Sequence, residues 1–204
     1  MDDTPTQLPP AVAVLRAAAK AHGFTLSCEE RTGALLAVLA AARPGGRILE
    51  LGTGAGEGAA WLLSGMDADA RLVSVELDTA VQDLARAELA GDGRCSFVAG
   101  DGGAWLEAYR GEPFDLVFAD TWPGKFTHLE RALEMVAPGG TYLIDDLLPL
   151  PDWPAEHTAA VARIVAHLTE HPDFRTVRLA WSTGLLMAVR TARPAVPHPN
   201  DRRE

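Results

Sequence analysis

The sequence predicts an α/β chain with a doubly wound, mostly parallel sheet of seven strands, helices on both faces and a closing antiparallel hairpin. Three observations carry this expectation. An apolar run, residues 47–51, ends in a glycine-rich turn, Gly52-Thr53-Gly54-Ala55-Gly56, and an alanine-rich helical pattern follows, Ala59-Ala60-Trp61-Leu62-Leu63. Four further runs of strand length then alternate with helical segments, the signature of parallel pairing under helices on both faces. The last two strand-like runs, 175–181 and 185–190, are separated only by Ser182-Thr183-Gly184. Three residues cannot carry a parallel crossover, which needs about a dozen, so this pair is an antiparallel hairpin.

The elements follow in order. Residues 1–10 are polar, carry Pro5, Pro9 and Pro10, and read as a disordered lead-in. Residues 11–22 place Val14, Leu15, Ala18 and Ala19 at helical spacing, and Gly23 stops the helix. Ser27 and Glu30 fit a capping box, opening a helix to about residue 42 with Leu35, Leu36 and Leu39 on one face. After the glycine turn come a strand at 71–76, a helix at 79–90, a strand at 95–99, a short helix at 102–109 and a strand at 114–119 that ends at Asp120. A helix is expected at 126–136, striped by Phe126, Leu129, Leu133 and Val136, then a strand at 141–144 ending at Asp145-Asp146. Residues 147–154 are rich in proline and hold Trp153, an irregular stretch suited to a pocket wall or lid. A helix at 155–171 precedes the hairpin, and 191–204 read as a flexible tail. The expected organisation is one domain over 11–190, with N-terminal helices at 11–43 and an α/β core at 47–190.

Composition narrows the function classes. Hydrophobic residues make up 48% of 204, an ordinary globular proportion that supplies a sizeable core. No apolar run approaches a membrane span. Met1-Asp2-Asp3-Thr4-Pro5 lacks the basic and apolar regions of a signal peptide, so a cytoplasmic location is expected. Cys28 and Cys95 are far apart and outside any Cys-x-x-Cys pattern, which points to reduced thiols and away from a zinc site. The net charge of −10, with Arg202-Arg203 as the only basic cluster, disfavours nucleic acid as a partner. A homodimer is left open.

The chemistry starts at Glu76, twenty residues after Gly56 and at the end of the second strand. An acidic side chain there is placed to accept hydrogen bonds from ribose hydroxyls, or else is a solvated strand end beside Asp78. A nicotinamide dehydrogenase is the obvious competitor. The compact Gly52-x-Gly54-x-Gly56 spacing, with Glu57 where a dinucleotide loop continues, counts against it, as do the terminal hairpin and the lack of room for a second domain.

Glu50-Leu51-Gly52-Thr53-Gly54-Ala55-Gly56, Val75-Glu76-Leu77-Asp78, Gly100-Asp101, the run from Phe114 to Asp120, and Pro138-Gly139-Gly140 together resemble the class I S-adenosylmethionine-dependent methyltransferases, over roughly residues 27–190. Asp120-Thr121-Trp122 and Ile144-Asp145-Asp146-Leu147 are similar to the small cation-dependent O-methyltransferases related to catechol O-methyltransferase. The resemblance implies a Rossmann-like methyltransferase fold. It implies S-adenosylmethionine held by Glu50, Gly52, Thr53, Gly54, Gly56, Glu76, Leu77, Asp101, Gly102 and Asp120. It also implies a cation such as Mg²⁺ on Asp120, Asp145 and Asp146, where the family has Asn at the last position. Such a trio suits a hard cation, provided the strand breaks between Asp145 and Asp146, because neighbours in a strand point to opposite faces. The family's catalytic lysine position is Pro123 here. Lys125, two residues on, takes that role only if the loop is shifted, and is otherwise a solvated lysine. His128 and His157 are the other candidate bases. The implied activity is methyl transfer to a hydroxyl of a small molecule. A metal-independent enzyme acting on another atom and a non-catalytic cofactor-binding module are the alternatives.

Overall fold

The computed structural model describes residues 5, 7–148 and 155–191. The expected tail beyond residue 191, most of the lead-in, and the segment 149–154 with Trp153 lie outside the described residues.

The elements run α1 (Pro10–His22), α2 (Glu30–Ala41), β1 (Arg47–Leu51), α3 (Glu57–Gly65), β2 (Arg71–Glu76), α4 (Thr79–Leu89), β3 (Cys95–Ala99), α5 (Gly102–Ala108), β4 (Phe114–Ala119), α6 (Leu129–Glu134), β5 (Val136–Ile144), α7 (Ala155–Glu170), β6 (Phe174–Leu179) and β7 (Leu185–Arg190). They form one seven-stranded sheet in the order β3-β2-β1-β4-β5-β7-β6. The first five strands are parallel, and β7 pairs antiparallel with both β5 and β6. The doubly wound sheet and its closing hairpin are as the sequence predicts.

Alternation along each strand divides the core in two. Ile48, Leu116, Phe118 and Leu143 point to the side covered by α1, α2 and α3. Leu49, Leu51, Val117, Ala119, Tyr142 and Ile144 point to the side of α5, α6 and α7. Both faces being covered, the central strands read as near-continuous apolar runs, interrupted at Glu50 in β1 and Asp115 in β4. Close helix packing needs small residues. A Cβ on Gly33 would overlap the Trp61 indole, and one on Gly65 would lie 2.0 Å from the Ala37 carbonyl oxygen, so α2 and α3 meet nearly backbone to backbone.

Two local expectations are overturned. The helix expected at 126–136 is only α6, Leu129–Glu134. Pro123 and Gly124 (φ +86°) divert the chain, and the Trp122 carbonyl accepts from the N–H groups of Lys125, Phe126 and Thr127, curling the segment into a loop. Val136 opens β5, opposite Phe114. The Ser27–Glu30 capping box is also absent. The N-cap of α2 is Glu29 without a side-chain cap, and Glu30 pairs with Arg16 of α1 at 2.6 Å. A tertiary ion pair has taken the carboxylate that the local motif would have used.

Candidate active site

The chain leaves β1 towards β2 and β3, then returns to lay β4 on the other side of β1. At this switch the connections diverge, leaving a crevice beyond the carboxyl ends of β1 and β4. The glycine turn lies in it. Gly52 (φ +98°) approaches β4 so closely that a Cβ would sit 2.8 Å from the Asp120 carbonyl oxygen. Gly54 (φ +51°) donates its N–H to Glu76 Oε2 at 2.8 Å, while Glu76 Oε1 accepts from Asp78 N–H at 3.0 Å. The loop between α1 and α2 forms a roof here, with the Phe24 ring over Gly54.

Two cavities meet at this turn. One of about 150 Å³ lies between the roof (Phe24, Leu26, Ser27, Cys28) and Glu50, Gly52, Thr53, Gly54 and Asp120. The other, of about 300 Å³, is bounded by Gly52, Glu76, Leu77, Asp101, Gly102, Thr121, Trp122 and His128. Asp101 also caps α5, accepting from Ala104 N–H at 2.7 Å.

Glu50 is the electrostatic anomaly of the first cavity. It is 1% exposed, and Oε2 accepts a 2.5 Å hydrogen bond from Ser74 Oγ. Oε1 is buried without a hydrogen-bond partner among the described residues. Burial pushes the carboxyl up to about 8; the Ser74 bond opposes this, and the Glu76 charge adds to it.

A second cluster is built from strand ends. Asp120 follows β4, and Asp145 and Asp146 follow β5. Asp146 has φ +62°, the break in the strand that lets neighbouring side chains converge. One carboxylate oxygen from each of the three lies within 4.8 Å of the others. Burial, then repulsion from Asp145 and Asp146, holds the Asp120 carboxyl well above the usual range. Burial likewise lifts Asp145 to about 6, against its hydrogen bonds from Thr183 and the Asp146 N–H. The curled loop delivers Lys125 to this cluster. Its side chain is 4% exposed, with Nζ 3.7 Å from Asp146 Oδ2 and 5.2 Å from the Phe126 ring centre. On the far side of Lys125, a cleft of about 490 Å³ separates Trp122, Phe126 and Leu129 from His157, Ile164 and other residues of α7.

The structure thus brings Glu50, Gly52, Thr53, Gly54, Glu76, Leu77, Asp101, Gly102 and Asp120 to the two cavities, and Lys125 to the aspartate trio. Two expected binding residues sit differently. Gly56 (φ +100°) borders neither cavity; a Cβ there would meet Ala85 at 2.5 Å, so this glycine serves packing against α4. The Thr53 hydroxyl is turned inward, held by Ser74 Oγ at 2.6 Å and Gln82 Nε2 at 3.0 Å, which leaves its backbone to face the cavity. His128, with φ +55°, borders the larger cavity, where its ring occupies the space above Gly103. His157 stands edge-on to Phe126.

Several participants escape sequence reasoning. Thr183, in the hairpin turn, donates its hydroxyl to Asp145 Oδ1 at 2.5 Å, and Ser182 reaches Glu29 at the start of α2. Ser74 and Gln82 brace the glycine turn from below. None carries a local motif, because each acts through a contact distant in sequence.

Residues 49–147 match the family model described as a methyltransferase domain. A putative O-methyltransferase of Mycolicibacterium vanbaalenii is 33% identical over 117 residues, 55% of this chain and 52% of that protein. A catechol O-methyltransferase of Mycobacterium tuberculosis is 28% identical over 181 residues, 84% and 82% of the two chains. The O-methyltransferase TomG of Streptomyces achromogenes, solved with S-adenosylmethionine, superposes with a TM-score of 0.78 at 26% identity, covering 91% of this chain and 92% of that one. The chain spans about half the length of the curated relatives it matches first.

The Rossmann-like sheet is thus similar in fold to that of an O-methyltransferase solved with S-adenosylmethionine. Residues 49–147 match a methyltransferase domain, and the named relatives are O-methyltransferases.

Proposed function

We propose that the chain moves a methyl group from S-adenosylmethionine to a hydroxyl of a small molecule, assisted by a divalent cation such as Mg²⁺. The observation that carries this reading is a juxtaposition. The glycine turn and Glu76 lie at one end of the crevice, and three converging carboxylates with a buried lysine lie at the other.

The residues fit both groups. S-adenosylmethionine has no phosphates, and the turn offers a close backbone approach with an acidic side chain at ribose distance. Glu50 supplies a buried, unpartnered oxygen in the cavity nearest the trio, suited to the cationic end of the methionine moiety. Leu77 and Asp101 would flank the adenine. Asp120, Asp145 and Asp146 form an all-oxygen donor set, and their mutual repulsion is what a hard dication relieves. When bound, such an ion lowers the pKa of a coordinated hydroxyl.

The chain's own residues then have three tasks. Trp122 and the α1–α2 loop exclude water and hold the acceptor in line with the sulfonium. The aspartates orient the acceptor hydroxyl. Lys125 is the group that would take the hydroxyl proton as the C–O bond forms and the C–S bond breaks, leaving a methyl ether and S-adenosylhomocysteine. The apolar walls and the relative named a catechol O-methyltransferase favour a planar aromatic acceptor.

Calorimetry tests the donor half. S-adenosylmethionine should bind the wild type, and Glu76→Ala, which removes two charge-assisted acceptors each worth about 1.5–3 kcal/mol, should weaken binding by about 100-fold or more. No binding by the wild type would refute the reading. Assays of phenols and catechols with and without chelator test the other half; turnover untouched by complete metal removal would leave methyl transfer standing without the cation.

A further inference from the structure

Helices α6 and α7 meet at a group of ligating side chains that methyl transfer does not use. Within His167-Leu168-Thr169-Glu170-His171, at the end of α7, the two histidines are four residues apart and so share one side of the helix. Leu168 is fully buried and Ile164 nearly so. This sets the roll of α7 and leaves His167 and His171 on the flank that passes α6. Glu130, in the first turn of α6, reaches across, with Oε1 2.5 Å from His167 Nε2 and Oε2 4.0 Å from His171 Nε2. The two imidazoles stand edge to face, 5.7 Å apart. One ligand atom from each of the three residues lies within 4.8 Å of the others.

We propose that Glu130, His167 and His171 bind a divalent transition-metal ion of the Zn²⁺ class, joining α6 to α7. The donor set decides the metal. Two imidazole nitrogens and one carboxylate suit Zn²⁺, Co²⁺ or Ni²⁺, whereas Mg²⁺ takes oxygens, as the aspartate trio offers. Three protein ligands leave the fourth tetrahedral position to water.

The geometry is within reach. Metal–ligand bonds of about 2.0–2.1 Å put tetrahedral ligand atoms about 3.3 Å apart, so the wider separations must contract by an ångström or so and the Glu130–His167 contact must open by somewhat less. Glu130 and His167, 64% and 44% exposed at their side chains, are free to rotate by that much. His171, 17% exposed, is the fixed ligand. Its ring stands edge-on to Phe174, and its Nδ1 accepts from Asp173 N–H at 3.2 Å. Binding through Nε2 shifts the ring proton to Nδ1 and gives up that one long hydrogen bond, a small loss beside two metal–nitrogen bonds and a metal–carboxylate bond. α6 continues from the loop that carries Trp122 and Lys125, and α7 forms the facing wall of the 490 Å³ cleft. An ion between them ties the two walls together.

The test uses the full chain stripped of metal with a chelator that is then removed. Zn²⁺ is titrated in competition with a chromophoric chelator, and Co²⁺ is followed through its visible ligand-field bands. The wild type should bind one Zn²⁺ at micromolar concentration or tighter and give the intense bands of four-coordinate Co²⁺. His167→Gln and Glu130→Gln should each weaken Zn²⁺ binding at least about tenfold and abolish those bands, while Asp146→Asn changes neither. S-adenosylmethionine affinity, unchanged in the His167 and Glu130 variants, checks their fold; if the chain binds no S-adenosylmethionine at all, thermal unfolding serves instead, so the two proposals fail separately. Zn²⁺ affinity equal in His167→Gln and wild type, binding lost only in Asp146→Asn, or no binding by the wild type would each overturn the inference.

Discussion

Replacing Glu50 by Gln should make the cofactor-free protein more stable, by a margin that grows with pH. The carboxyl titrates near 4.5 in an unfolded chain and near 8 in the fold. Below pH 4.5 it is protonated in both states and costs nothing. Between the two values the unfolded chain ionises while the folded one keeps its proton, so the folded state loses ground as pH rises, until both are ionised above about 8. At 1.36 kcal/mol per pH unit the full gap amounts to about 5 kcal/mol, of which roughly 4 kcal/mol falls between pH 5 and pH 9. Glutamine keeps the volume and an acceptor for the Ser74 hydroxyl, and it cannot ionise. Asp120 and Asp145, also raised by burial, make both proteins less stable as pH rises; the Asp145 contribution cancels from the difference, and loss of the Glu50 repulsion on Asp120 adds to the variant's advantage. Urea unfolding followed by circular dichroism at pH 5 and pH 9 measures it. With a slope of about 2 kcal/mol/M, the midpoint advantage of the variant should widen by about 2 M. Parallel pH profiles, or a variant less stable than wild type at pH 9, would refute the reasoning. The stability that the buried Glu50 carboxylate costs is matched by no hydrogen bond to its Oε1 among the described residues.

Two other outcomes follow from contacts distant in sequence. Thr183→Val removes the hydroxyl that holds Asp145 Oδ1, and Mg²⁺ affinity measured by calorimetry should fall by about tenfold or more; an unchanged affinity contradicts the positioning role. Gly65→Ala places a methyl 2.0 Å from the Ala37 carbonyl and should cost about 2 kcal/mol or more, lowering the thermal midpoint by roughly 4–8 °C, whereas Gly93→Ala, with nothing within 4 Å, should not.

How far the site was legible in the sequence can be followed residue by residue. Glu76 and the glycine turn were legible because strand, turn and helix are local patterns whose outcome depends on a few neighbours. Lys125 was ambiguous, since its register misses the family position. The curl created by Pro123, Gly124 and the Trp122 carbonyl carries it to Asp146. Gly56 and Thr53 look like cofactor residues in sequence, but tertiary partners on α4 and β2 claim the first for packing and turn the hydroxyl of the second inward.

By itself the sequence determined the alternation of elements, the doubly wound sheet, the closing hairpin and the crevice at the glycine turn. Hydrophobic periodicity and glycine placement are short-range physics, and a three-residue connection admits only one strand sense. The tertiary structure alone decided which polar groups meet across those elements. The buried Glu50 beneath Ser74, the three carboxylates gathered by the left-handed turn at Asp146, Thr183 behind Asp145, and Glu130 facing His167 and His171 at the end of α7 all depend on contacts between elements, which no window of sequence contains.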